Sequence, residues 1–114
     1  MINLILSLPP TLNQTYASAQ GRFYKRKEVK EWETLAGWQV KSQCQSLQKL
    51  TIPIYVGITM FLKRDRDIDS CVKVILDLLQ RTGVIENDNL IEHLNIKKLK
   101  DVKNPHLEIE IVKI

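Results

Sequence analysis

Along this chain, hydrophobic and polar positions alternate, shift to a longer period, and alternate again; each change of period marks an element. Ile2, Leu4, Leu6 and Leu8 interleave with Asn3 and Ser7, the two-residue period of a strand with one face on a core. Pro9 and Pro10 end that strand, which covers residues 2–8. From Thr11 to Tyr24 the chain is polar and aromatic, with Asn13, Tyr16 and Gly21, the composition of a loop or irregular hairpin. Between Lys27 and Leu50 the apolar positions Val29, Trp32, Leu35, Ala36, Val40, Cys44 and Leu47 recur at steps of three and four, which predicts an amphipathic helix. Residues 51–62 alternate again, with Ile52, Ile54, Val56, Ile58, Met60 and Leu62 on one side. Tyr55, Thr59 and Phe61 give the other side apolar members as well, so this strand is expected at the centre of a sheet.

A second helix is predicted over residues 68–82, with Gly83 as its C-terminal stop and Glu86-Asn87-Asp88-Asn89 as the following turn. Two strands complete the pattern, near 91–99 and 106–113, the last alternating Leu107, Ile109 and Ile111 with His106, Glu108 and Glu110. The order β, loop, α, β, α, β, β implies an α+β fold, a small mixed β-sheet covered by two helices. The second helix is apolar almost all round. Val72, Ile75, Leu76 and Leu79 form a side for this chain's own sheet, while Cys71, Val74 and Leu78 form another that calls for a second partner. A homodimer sealed by Cys71, Val74 and Leu78 is the simplest expectation.

Composition narrows the class without naming a function. A chain of 114 residues holds one hydrophobic core better than two, so a single domain over 1–114 is expected. With 44% hydrophobic and 26% charged residues, and no apolar run near the roughly 18 residues of a membrane span, a soluble protein is implied and a membrane role excluded. The N-terminal stretch lacks the basic region and cleavage site of a signal peptide, which predicts a cytoplasmic location. Cys44 and Cys71 have no metal-ligand spacing and are expected as buried thiols rather than a disulfide. The formal charge of +4 permits a polyanionic partner. Its distribution says more: Lys25, Arg26, Lys27 and Lys30 form one basic cluster, Lys63, Arg64 and Arg66 a second, and Lys97, Lys98, Lys100 and Lys103 a third.

The candidate chemistry lies where the central strand gives way to the second helix. Asp67 and Asp69 leave the strand and enter the helix, so their carboxylates can converge on one point, and Mg²⁺ favours such hard oxygen ligands. Lys73 follows Asp69 by one turn on the same polar strip, with Asp77 and Gln80 beyond it. Asp88 reaches this end only if the chain after the helix folds back. A purely structural reading stands beside the chemical one: Asp69 as helix N-cap, Lys73 as its ion-pair partner, Asp88 as a turn-former. Asp65, Asp77 and Glu86 are surface residues or supporting groups, and His93 and His106 stand singly in strands.

The run Arg64-Asp65-Arg66-Asp67-Ile68-Asp69, followed by Lys73, Asp77, Leu78, Leu79, Gly83, Val84, Ile85 and Asn87-Asp88, resembles the RusA family of phage and prophage Holliday-junction resolvases. The opening Leu8-Pro9-Pro10 with Asn13 and Tyr16 also resembles the family's start. The resemblance implies that Asp67, Asp69 and Asp88 bind catalytic Mg²⁺, that Lys73 is needed for activity, and that the protein is an intertwined homodimer. Ser70 stands where the family usually has Asn, and Asn87 where some relatives have a second Asp.

The implied reaction is Mg²⁺-dependent hydrolysis of phosphodiesters in a four-way DNA junction, by paired symmetric nicks, in recombination and repair. Phosphate contacts are assigned to Lys63, Arg64, Arg66, Lys25 and Arg26. Two rivals remain open: a less selective branched-DNA or flap nuclease, and a DNA-binding protein with a disabled site.

Overall fold

A computed structural model describes residues 1–10, 16–19, 22–25, 27–44 and 48–114, with side chains for all of these except 16–19 and 22–25. The alternation at 2–8 forms β1 (Ile2–Leu6), which has Ile2, Leu4 and Leu6 buried and Asn3 and Ile5 exposed. The segment expected as a loop or hairpin is a hairpin, β2 (Tyr16–Ala19) paired antiparallel with β3 (Arg22–Lys25). Asn13 and Arg26 lie outside the described residues.

Helix α1 (Lys27–Gln43) buries Val29, Trp32, Ala36 and Val40, four of the positions that the three- and four-residue steps select. It ends short of the expected Leu50. Leu50 instead bridges Ile85 in parallel, its N–H on the Val84 carbonyl at 3.0 Å and its carbonyl accepting from Glu86 at 2.9 Å. The expected Leu35 is exposed, and Leu47 lies outside the described residues.

Strand β4 (Ile54–Leu62) starts later than its alternation suggests, because Ile52 is exposed and Pro53 offers no N–H to a ladder. It is central, as expected. In the sheet order β1-β6-β4-β5, the last strands, β5 (Ile91–Lys100) and β6 (His106–Lys113), flank it on either side. β6 runs antiparallel to both β1 and β4, whereas β5 runs parallel to β4, so the sheet is mixed. Ile54, Val56, Ile58, Met60, Leu107, Ile109 and Ile111 bury one face of it. On the other face, among the described residues, Asn3, Ile5, Glu108 and Glu110 are exposed and Tyr55, Gly57, Thr59 and Phe61 half-buried. There Tyr55 lies across Gly57, where a Cβ would sit 2.7 Å from the Tyr55 hydroxyl, and that hydroxyl accepts from Asn95 at 3.3 Å.

Strand β1 is an edge, and α1 covers it with two glutamines a turn apart. Gln43 accepts from the Ile5 N–H at 2.8 Å and donates to the Ile5 carbonyl at 2.7 Å, copying the double bond of a ladder pair. Gln39 accepts from the Ser7 N–H at 2.9 Å, and Trp32 Nε1 donates to the Ser7 carbonyl at 2.8 Å. Backbone groups that would otherwise template another strand are thereby paired.

Helix α2 (Val72–Arg81) carries the chain from β4 to β5. Gly83, at φ +80°, follows its last turn in the left-handed conformation expected of a C-terminal stop. The expected dimer seal needs correction. Cys71, Val74 and Leu78 are buried within the protomer together with Ile75 and Leu79, while Val72 and Leu76 are half-buried. The sheet and α1 take more of this helix's circumference than its apolar count suggests, and the Arg81–Glu33 ion pair ties α2 to α1. Cys44 is half-buried rather than buried, and both thiols are free.

Candidate active site

Residues 63–71 connect the carboxyl end of β4 to α2 and are pinned from several sides. Lys98 of β5 donates to Asp65 Oδ1 at 2.8 Å and to the Arg66 carbonyl at 2.9 Å. That hydrogen bond and the ammonium charge hold the Asp65 carboxyl below the usual carboxylate range. One guanidinium nitrogen of Arg66 donates to the Pro9 carbonyl at 2.6 Å, and the Asp101 N–H closes on the Leu62 carbonyl at 2.8 Å. Beneath the loop, Cys71 Sγ lies 3.1 Å from Met60 Sδ. Burial pushes its thiol pKa up, and the Arg66 charge works in the opposite direction. Ser70 is buried with no hydrogen-bond partner for its hydroxyl among the described residues.

On this anchored loop Asp67 and Asp69 are both exposed. Their carbonyls serve the helix entry, Asp67 accepting from the Ser70 N–H at 3.0 Å and Asp69 from Val72 at 3.5 Å. Their carboxylates are engaged by no hydrogen bond or ion pair among the described residues. The N-cap is Cys71, without a side-chain cap bond, so Asp69 is not retained as a cap. Nor does Lys73, exposed in the first turn, pair with it.

Sequence distance conceals that two of the basic clusters meet here. Lys63, Arg64 and Asp65 line one wall, and Lys98, Leu99 and Lys100 the other, of a groove of about 480 Å³ at the carboxyl ends of β4 and β5. The parallel pairing Leu62↔Lys100 brings them together. A strand–helix–strand reading of 54–100 contains that signal, since parallel neighbours need a crossover of this kind. Arg66 is half-buried and partly committed to Pro9, which moves the free charge toward Lys63, Arg64 and Lys100. In the first cluster Lys27 pairs with Glu31 at 3.7 Å, the side chain of Lys25 is not described, and Arg26 lies outside the described residues.

Asp88 is elsewhere. It opens a 3-10 turn (Asp88–Leu90) just before β5, and its N–H donates to Gln80 Oε1, in the last turn of α2, at 3.0 Å. Because β4 and β5 are parallel, α2 runs back from the carboxyl ends of the strands to their amino ends. Asp67 and Asp69 flank the start of α2, and Asp88 flanks its finish. The ten residues of α2 put about 15 Å between these ends. Oxygen ligands of Mg²⁺ stand about 2.1 Å from the ion, and short aspartate side chains do not close such a gap. Accordingly, no three acidic, histidine or cysteine side chains among the described residues gather around a possible metal position. The assumed return of the Asn87-Asp88 turn toward Asp67 and Asp69 does not occur within the protomer, and the three carboxylates do not fit one ion there. The turn-former is Asn87, whose Oδ1 accepts from the Asn89 N–H at 2.9 Å, which leaves the exposed Asp88 carboxylate without a bonded partner among the described residues.

Among the described residues no helix is long and apolar enough to cross a membrane. A family model described as Endodeoxyribonuclease RusA matches residues 7–112. The chain is also 36% identical over 107 residues to the Crossover junction endodeoxyribonuclease RusA of Aquifex aeolicus (strain VF5), covering 90% of this chain and 84% of that protein. The exposed aspartates, the lysine after them and the basic groove thus lie in a chain matched over nearly its whole length, and it belongs to the RusA family of crossover junction endodeoxyribonucleases.

Proposed function

We propose that this protein is a homodimeric, Mg²⁺-dependent nuclease that hydrolyses phosphodiesters in four-way DNA junctions by paired nicks. The observation that carries the reading is the unengaged pair Asp67 and Asp69 on an anchored loop beside the basic groove of Lys63, Arg64 and Lys100. The crossover junction named for the relative supplies the substrate class.

A bound divalent cation would supply charge against the phosphate and an ionised water. The chain's own groups do the rest. Lys63, Arg64 and Lys100 neutralise backbone phosphates and seat the strand without reading bases. Asp67 and Asp69 are the proposed cation ligands on the loop, and Asp88, which the sequence assigns to the same ion, stands at the other end of α2 and does not join them within one protomer. Lys73 presents its ammonium one turn beyond Asp69, where it balances charge developing on the phosphate oxygens. Ser70, buried behind the loop, sets its packing rather than contributing a ligand.

The test is cleavage of a labelled four-way junction and of linear duplex, each with Mg²⁺ and with EDTA. Junction nicks that require Mg²⁺ support the proposal. Equal cutting of duplex would indicate a less selective nuclease, and binding without cutting a disabled site.

A further inference from the structure

Gly37 stands in the interior of α1, where glycine is the poorest helix former after proline. Packing does not demand it: a Cβ there would meet Thr82 Cγ2 at 3.9 Å, an ordinary van der Waals contact. What the missing side chain leaves is space. A groove of about 430 Å³ runs between α1 and the end of α2, with Lys30, Trp38 and Lys41 on one wall and Arg81 and Thr82 on the other. Trp38 is 67% exposed, on the side of α1 opposite the buried Val29, Ala36 and Val40. The Lys41 ammonium stands over its indole, 5.4 Å from the centroid, and no other ring or cation among the described residues stacks on it. Lys30 and Lys41 make no ion pair among the described residues, and Arg81, paired to Glu33 through one guanidinium nitrogen, is exposed and keeps donors for a further acceptor.

Taking DNA as the substrate, a step that rests on the nuclease reading above, we propose that this second groove holds one unstacked nucleotide of a DNA strand, its base against the Trp38 indole and its phosphate on Lys30 and Arg81. The volume lies within the roughly 300–1,000 Å³ of small-ligand clefts, which suits one nucleotide rather than a duplex. Every base has a face to stack, so an aromatic wall beside cations responds to whether a base is free, not to which base it is. In continuous duplex each base is covered by its neighbours, whereas at an opened branch point it is not. Phosphate contacts from Lys63, Arg64 and Lys100 cannot make that distinction, since continuous duplex offers them the same backbone. Their groove is also a separate one, at the carboxyl ends of β4 and β5, whereas Arg81 and Thr82 close the opposite end of α2.

The test is titration of the whole chain, in EDTA, with single-stranded oligothymidylate. Of the two tryptophans, Trp32 is buried with its Nε1 on the Ser7 carbonyl, so quenching of fluorescence by the oligonucleotide reports stacking on Trp38. We expect quenching in wild type. By anisotropy of a labelled oligonucleotide, Trp38→Ala should bind about tenfold more weakly, the loss of one stacked base, while Trp38→Phe, which keeps an aromatic face, should retain most of the affinity. Gly37→Leu fills the groove from a position that tolerates a Cβ, so it should weaken binding without lowering the melting temperature. Unquenched wild-type fluorescence, or wild-type affinity in both Trp38→Ala and Gly37→Leu, would overturn the site. So would displacement of the oligonucleotide by an equal concentration of deoxythymidine monophosphate, the behaviour of a site for free nucleotides. Quenching at Trp38 in a protein that cuts no junction removes the nuclease reading and keeps the groove; junction cutting with Trp38 unquenched removes the groove alone.

Discussion

His106 sits between two groups that only accept hydrogen bonds, the Asn104 carbonyl 2.7 Å from Nδ1 and the Glu108 carboxylate 2.7 Å from Nε2. Only the imidazolium can donate to both, and the bond to Asn104, followed by that to Glu108, raises the pKa above the usual 6.5. The ring also stacks on Phe61 with centroids 4.3 Å apart. A raised folded-state pKa contributes stability that is fully present below the unfolded value and is lost as pH rises through the folded one. Urea midpoints of wild type and His106→Asn should therefore differ more near pH 5.5 than near pH 8.5, the stacking loss being common to both. A gap independent of pH would contradict the charged ring. Gly83 makes a second prediction, since its φ of +80° costs a residue with a Cβ about 1–2 kcal/mol. Gly83→Ala should lower unfolding free energy by about that amount in urea titration without altering junction affinity.

Most elements were legible in the sequence because burial of one face writes itself as a period. β1, β4 and β6 alternate, and α1 steps by three and four. What period does not encode is which neighbour covers a face. Cys71, Val74 and Leu78 read as a surplus apolar side of α2, yet this chain's own core covers them. Val74→Glu would place a charge inside the protomer rather than in a dimer seal, at a cost of several kcal/mol. We expect the soluble variant to lose its cooperative thermal transition; a well-folded monomer would instead put Val74 at the dimer interface. Also hidden was the pairing of Gln39 and Gln43 with β1, because amides on a helix surface look like solvated polar residues. Changing both to Ala exposes the Ile5 and Ser7 backbone groups and should cost about 1–3 kcal/mol in urea unfolding. Amide exchange at Ile5 and Ser7 should accelerate while β4 stays protected.

For the whole molecule, the residue types of the site were legible and their arrangement was not. Asp67, Asp69 and Lys73 lie close in sequence, so one loop and one helical turn fix their neighbourhood, whereas Asp88 depended on whether β5 runs parallel or antiparallel to β4. Parallel pairing sends Asp88 to the opposite end of α2 and, by the same register, merges the second and third basic clusters into one groove. Replacing Lys63, Arg64 and Lys100 with Ala should flatten the logarithmic salt dependence of junction binding by roughly 0.9 for each phosphate no longer neutralised. An unchanged slope, measured by titration over several salt concentrations, would assign phosphate binding elsewhere. Cleavage of a four-way junction at sites built on Asp67 and Asp69 is checked by mapping Mg²⁺-dependent nicks on each of the four labelled strands of one junction, with wild type and Asp69→Asn in parallel. Wild type should nick at symmetric positions in two opposed strands, and Asp69→Asn should give no nicks while still binding the junction. Equal cutting by Asp69→Asn, or nicks scattered along all four strands, would contradict cleavage at these sites.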